Sequence, residues 1–341
     1  TEIYTLSLHD ALPILEEPQK RISIRGNLEQ AFPSLESNLK IEVGWHGDFP
    51  VALKNVLQQE KLISKGKHFI VCDVRGDLCN LARLTANAKM DSERIEYGQM
   101  GIEGLTGEFK THAGQIGCLM KGKLNEGTLK MLVKTNLKEA PNNLWSGKVE
   151  MERVKLNPDF FASLRYVTPV FYVPEGKGAQ EITGDLSTAL SFETSGNETA
   201  LLRKNLKGEG NVTIHDGALS GPPVLVRLLG LLGLENLRYR FKTMTGALRF
   251  QEEVIHTNQL EFQGNPLSFK MNGKTNFDGN ISFTLETVSL KGMGVRLPVN
   301  VGKLVTVQIA GSWYDPTLSL KLPKIKGIGD LIEKGLDIFG E

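Results

Sequence analysis

The sequence predicts a mostly β protein: a long, largely antiparallel sheet with a few short helices. Three observations point there. Apolar residues alternate with polar ones through most of the chain, the period of a strand with one buried face. Glycine is abundant, 36 in 341 residues, and punctuates the alternating runs where tight turns belong. Stretches with helical spacing are few and short.

The elements follow in order. Ile22 and Ile24 alternate with polar neighbours, as do Leu39, Ile41 and Val43. Phe49–Ser64 reads as an amphipathic helix, with Asp48 as cap and Pro50 in the first turn. Phe69–Val74 reads as a strand, while Leu78–Ala88 fits helix or strand. Ile95–Leu137 is the clearest meander, its apolar segments broken by Gly104, Gly107, Gly114, Gly122 and Gly127. Trp145–Leu156 continues it. Pro158–Leu164 reads as a brief helical turn, and Val167–Val173, flanked by Pro169 and Pro174, as an irregular or edge segment.

Gly184–Gly221 then reads as strand, turn, short helix, glycine stop, strand, turn. Leu186, Leu190 and Phe192 share one parity, and Ser195-Gly196-Asn197 ends the strand. Asn197 or Thr199 caps a helix through Leu206, Gly208 ends it, and Asp216-Gly217 turns the next strand back. Pro222–Leu234 is the most apolar run, far short of the ~20 residues a membrane helix needs. Beyond Tyr239 the alternation is regular to Leu322, with turns expected at Asn272-Gly273 and Asp278-Gly279. Ile325–Phe339 places Ile328, Leu331, Ile332 and Leu336 on one helical face. That helix either caps the last strand or rests on a membrane surface or a partner.

Composition excludes several function classes. Net charge is +1, no long basic run occurs and aromatics are sparse, so nucleic acid is not an expected partner. The six histidines are scattered without ligand spacing, and no metal site is expected. No HExxH, GxSxG or Walker A sequence occurs, and the Gly-x-Gly pairs lack the context of a dinucleotide site. No catalytic residue and no cofactor is expected. Cys72, Cys79 and Cys118 form no CxxC; a Cys72–Cys79 bridge is left open by spacing alone.

The order Gly184, Ser195-Gly196, Leu206-x-Gly-x-Gly210 and Asp216-Gly217, followed by alternating strands to about Leu322, resembles the C-terminal region of AsmA-like envelope proteins. These are relatives of the TamB-type bridge-like lipid transporters. The resemblance covers the last half of the chain well and the first half only in style. It implies a curled sheet forming an open hydrophobic groove, covered by lipid acyl chains. It also implies a periplasmic body on an inner-membrane anchor, a role in outer-membrane biogenesis, and phospholipid or another acyl lipid as partner. Inner- or outer-membrane protein partners follow from the same likeness.

Four segments are then expected. Residues 1–14, TEIYTLSLHDALPI, look like a translated sequencing adapter, set apart as non-native, with Ile3–Leu8 alternatively a genuine strand. Residues 15–183 form the first part of the groove, 184–323 the AsmA-like part and 324–341 the terminal helix. The groove-lining candidates are Phe241, Leu248, Phe250, Leu260, Phe262, Leu267, Phe269, Met271, Ile281, Phe283, Leu285, Val305, Val307, Ile309, Leu318, Leu320 and Leu322. Leu225, Leu228, Leu229 and Leu232 are candidates for a groove-closing helix. Aspartate at Phe269 or Phe283 is expected to remove lipid and leave soluble protein; unfolding would mark both as core. Two other solutions stay open: the residue pattern allows a folded-over sandwich that binds a sugar or protein, and the resemblance allows an envelope scaffold that assists outer-membrane protein assembly.

Overall fold

The computed structural model describes residues 4–8, 20–31, 34–49, 62–80, 83–98, 100–136, 143–172, 182–220, 224, 226, 238–265, 267–290 and 306–321. The first nine strands are β1 Tyr4–Leu8, β2 Lys20–Ala31, β3 Ser34–His46, β4 Leu62–Asp77, β5 Thr85–Tyr97, β6 Met100–His112, β7 Gln115–Leu124, β8 Gly127–Asn136 and β9 Leu144–Lys155. The remaining eight are β10 Thr183–Ser195, β11 Lys207–Leu219, β12 Tyr239–Gln251, β13 Val254–Asn265, β14 Leu267–Asn276, β15 Asn280–Leu290, β16 Thr306–Ser312 and β17 Pro316–Lys321. Each strand pairs antiparallel with the next in sequence, so β1 to β17 form one meandering sheet. At ~4.8 Å per strand the sheet is on the order of 75 Å wide. It runs without a break across residue 183, where the sequence reading divides the chain.

The register explains the alternation. Because side chains one residue apart point to opposite faces, cross-strand partners of one parity form rows. One row runs Val43, Ile70, Met90, Gly107, Met120, Met131, Val149, Leu190, Gly210, Leu248, Thr257, Gly273, Phe283, Ile309, Leu318, from β3 to β17. Its neighbour on the same face runs Ile24, Ile41, Cys72, Ala88, Phe109, Cys118, Val133, Gly147, Phe192, Gly208, Phe250, Ile255, Thr275, Ile281, Gly311, Pro316. Neither row holds a charged residue. On the opposite face the corresponding row is mixed: Lys89, Glu108, Lys148, Glu209, Arg249 and Lys274 share it with Val71, Leu119 and Leu132. Its side of the sheet carries ion pairs such as Lys130–Glu150 at 3.0 Å and Lys270–Glu261 at 3.4 Å. Both are solvent-exposed and worth little.

Several sequence readings are corrected. Asn272-Gly273 makes no turn: both lie within β14. Asn272 Oδ1 instead accepts the N–H of Gln259, a bulged residue of β13 with φ 50°. A bulge leaves one backbone donor outside the ladder, and Asn272 satisfies it. Asp216 is likewise a bulge at φ 50° inside β11, which continues to Leu219. Gly208 ends no helix. It lies in β11 where an added Cβ would run into the backbone of Ser191 and Phe192. The short helix spans Thr199–Lys204 (α2), and its cap position Glu198 makes no side-chain capping bond.

Residues 62–64, read as helix, open β4, and residues 50–61 lie outside the described residues. Cys72, Cys79 and Cys118 are all free. Tyr4–Leu8, set apart as non-native, pairs with Gly26–Gln30 of β2. Its alternating side chains suit a strand, and β2 offers a free edge.

A covered and an uncovered stretch of one face

Between β9 and β10 the chain forms the main non-strand element among the described residues. Asn157 opens it in an extended conformation, and its side chain accepts the N–H of Phe160 at 2.8 Å. Pro158 follows at the first turn of helix α1, Pro158–Ser163. Two 3-10 turns continue it, Leu164–Tyr166 and Pro169–Phe171. Six residues make no stable helix alone, so packing must hold the segment. Phe160, Phe161, Leu164, Val167, Val170, Phe171 and Tyr172 are all buried. Each side chain so buried contributes about 1.5–3 kcal/mol, which fixes the segment firmly.

The segment lies on the apolar face of β12 to β16. Thr168 Oγ1 meets Met271 Sδ at 2.7 Å, and Thr257 Oγ1 donates to the Val167 carbonyl at 2.5 Å. Phe171 packs on Phe262 at 6.0 Å between ring centres, and Tyr166 sits edge-on to Trp313 at 4.8 Å. Beneath it Phe262 stacks on Phe269 at 4.4 Å. Tyr239, wholly buried there, donates its hydroxyl to the Leu267 carbonyl at 3.0 Å. Burial pushes that phenol's pKa far up. Val224, between β11 and β12 in sequence, joins the same core.

This cover decides the fate of the sequence candidates. Phe241, Leu248, Leu260, Phe262, Leu267, Phe269, Met271, Ile281, Phe283, Leu285, Val307 and Ile309 are brought together, as the alternation requires, yet all are buried in protein. Phe250 and Leu318 are half-buried at the margin. Leu320 holds its register opposite Val307. The expectation that this set faces a solvent-open groove is therefore corrected: side chains from Leu156–Tyr172 already occupy the space. Val305, Leu322, the helix candidates Leu225, Leu228, Leu229 and Leu232, and the tail residues Ile328, Leu331, Ile332 and Leu336 lie outside the described residues.

Exposure changes along the same rows. From β4 to β10, Ile70, Met90, Met120, Met131, Val149 and Leu190 are each only partly buried, as are Cys72, Phe109, Cys118 and Val133 beside them. From β12 onward Leu248, Thr257, Phe283 and Ile309 are buried. The chemistry of the row does not change at that point; only the cover does. Phe192 belongs to this uncovered stretch and lies flat over Gly147, where an added Cβ would strike its ring. The two native thiols of this stretch, Cys72 and Cys118, have pKa values raised by burial.

A second, smaller cluster closes the start of the stretch. Trp45 stacks on His68 at 4.8 Å, and His68 Nδ1 lies 2.7 Å from Ser92 Oγ. Ser64 Oγ accepts from Trp45 Nε1 at 3.3 Å and donates to the Gly47 carbonyl at 2.9 Å. Desolvation lowers the His68 pKa.

Among the described residues no group of three or more His, Cys, Asp or Glu is gathered to hold a metal ion, and no helix is long and apolar enough to cross a membrane. No protein-family model, curated protein or solved structure matches the chain.

Proposed function

We propose that the protein is a non-enzymatic cell-envelope protein that binds lipid acyl chains along the apolar face of its sheet. One observation carries this reading. Two uncharged rows cross the sheet, and between β4 and β10 their aliphatic and thioether side chains stay partly solvent-exposed while the same rows are sealed further on. An exposed contiguous apolar face in a protein marks a partner or a ligand. Aliphatic chains suit this one. The rows offer Met, Val, Ile, Leu and Gly with no fixed donor or charge, so contact is non-directional, about 0.8 kcal/mol for each methylene removed from water. The partly buried methionines adapt to chains of differing shape.

In this reading the sheet is an open hydrophobic groove, its charge-bearing back faces water, and head groups project from its rim. The likeness to AsmA-like proteins supports a periplasmic setting, an inner-membrane attachment and phospholipid as ligand, moved between inner and outer membranes. The test is native mass spectrometry of the protein purified without detergent, before and after exposure to phosphatidylethanolamine–phosphatidylglycerol vesicles. Phospholipid adducts are expected. A bare protein mass under both conditions refutes the proposal.

A further inference from the structure

The apolar face is continuous from β3 to β17, but its covering is not, and the difference has a direction. On β4 to β10 the row residues Met90, Met120, Met131 and Val149 remain partly exposed. On β13 to β16 the corresponding residues Thr257, Phe283 and Ile309 are sealed by protein. The seal is built, not incidental. Asn157 caps its helix, Phe171 and Val170 are completely buried, and Thr257 and Thr168 tie it to the sheet from opposite sides.

We infer that the groove is blind-ended: Leu156–Tyr172 is its end wall, and an acyl chain lies on β4 to β10 without passing to β17. This deepens the lipid-binding reading above and rests on it. A through-running trough would let chains slide from one edge of the sheet to the other. With the wall in place, β12 to β17 act as a folded terminal block. Chains then enter and leave over the rim of the uncovered stretch. The position of the wall also sets what the site takes. It accepts the tail of a lipid whose head group remains in solvent, and it offers no exit for a lipid travelling towards β17.

The experiment uses the full chain and a phosphatidylcholine with a diazirine at the end of one acyl chain. After illumination, adducts are mapped by tandem mass spectrometry. The expected result is labelling on β5 to β9, at or beside Met90, Met120, Met131 and Val149, with none on β13 to β16 or on residues 158–171. Labelling of Phe262, Met271 or Phe283 at a level comparable to Met120 overturns the end wall while leaving the lipid reading intact. Absence of labelling on the apolar face altogether overturns the lipid reading, and the end wall with it.

Discussion

Aspartate substitutions on the two stretches of one face should behave oppositely. Phe269 is wholly buried, stacked on Phe262 at 4.4 Å and 5.7 Å from the Tyr239 ring. Replacing it removes a buried aromatic, worth about 3–5 kcal/mol, and adds an unpaired carboxylate whose burial costs several more. The sum rivals the ~5–15 kcal/mol that holds a typical domain folded. Phe269→Asp should therefore not yield a cooperatively folded protein. Met120 and Met131 face each other on the uncovered stretch and are only partly buried. Aspartate there keeps contact with water, so Met131→Asp should cost about 1 kcal/mol of stability, within the usual range for point substitutions. It should still weaken lipid. A chain that avoids the carboxylate loses contact with two or three methylenes, about 2 kcal/mol, or roughly thirty-fold in affinity. Urea denaturation followed by tryptophan fluorescence reads the first effect, and displacement of a fluorescent fatty acid reads the second. A folded Phe269→Asp with a wild-type midpoint would show that the cover is not packed as described. Full lipid affinity in Met131→Asp would show that the uncovered stretch is not the site.

Three further outcomes are expected. Alkylation of Cys72 and Cys118 by maleimide should be slower than that of exposed Cys79, since burial raises both thiols and lowers their thiolate fraction; bound phospholipid should slow it at least several-fold more, and unchanged rates would separate these thiols from the lipid site. Gly273→Val should destabilise by about 1–3 kcal/mol in denaturant titration, because its Cβ would meet the Ser282 carbonyl and the Phe283 ring. His68, kept below its usual pKa by desolvation, favours the folded state fully above about pH 6.5; that contribution is lost as pH falls from there through the lower folded-state pKa. Thermal stability should therefore drop on acidification, and His68→Phe, which can keep the stacking on Trp45, should flatten that part of the profile.

The meander from Ile95 to Leu137 was legible through its two-residue period rather than its glycines: of the five read as breaks only Gly114 lies in a turn, while Gly104 and Gly107 fall within β6, Gly122 within β7 and Gly127 opens β8. The same logic placed Phe262, Phe269, Met271, Leu285 and Ile309 on one face, and β12 to β16 confirm it. Turn chemistry was less transferable. Asn272-Gly273 has the composition of a hairpin turn, but its asparagine satisfies a bulge on the preceding strand and its glycine admits the Phe283 ring. Neither role depends on neighbours in sequence. The cover was missed for the same reason. Phe160, Phe161, Leu164, Val167, Val170 and Phe171 fit no strand period, and the stretch is too short for a stable helix. That conflict was the available signal: so many apolar residues without a period of their own must be buried against something else.

Local pattern thus determined the strands, their antiparallel order and which residues share the uncharged face, because pleating ties a side chain's direction to its parity alone. What lies over that face is set by contacts across about ninety to a hundred residues of sequence, such as Thr168 with Met271 and Thr257 with Val167. Only the tertiary structure could decide that, because an apolar row reads the same in sequence whether protein covers it or water does.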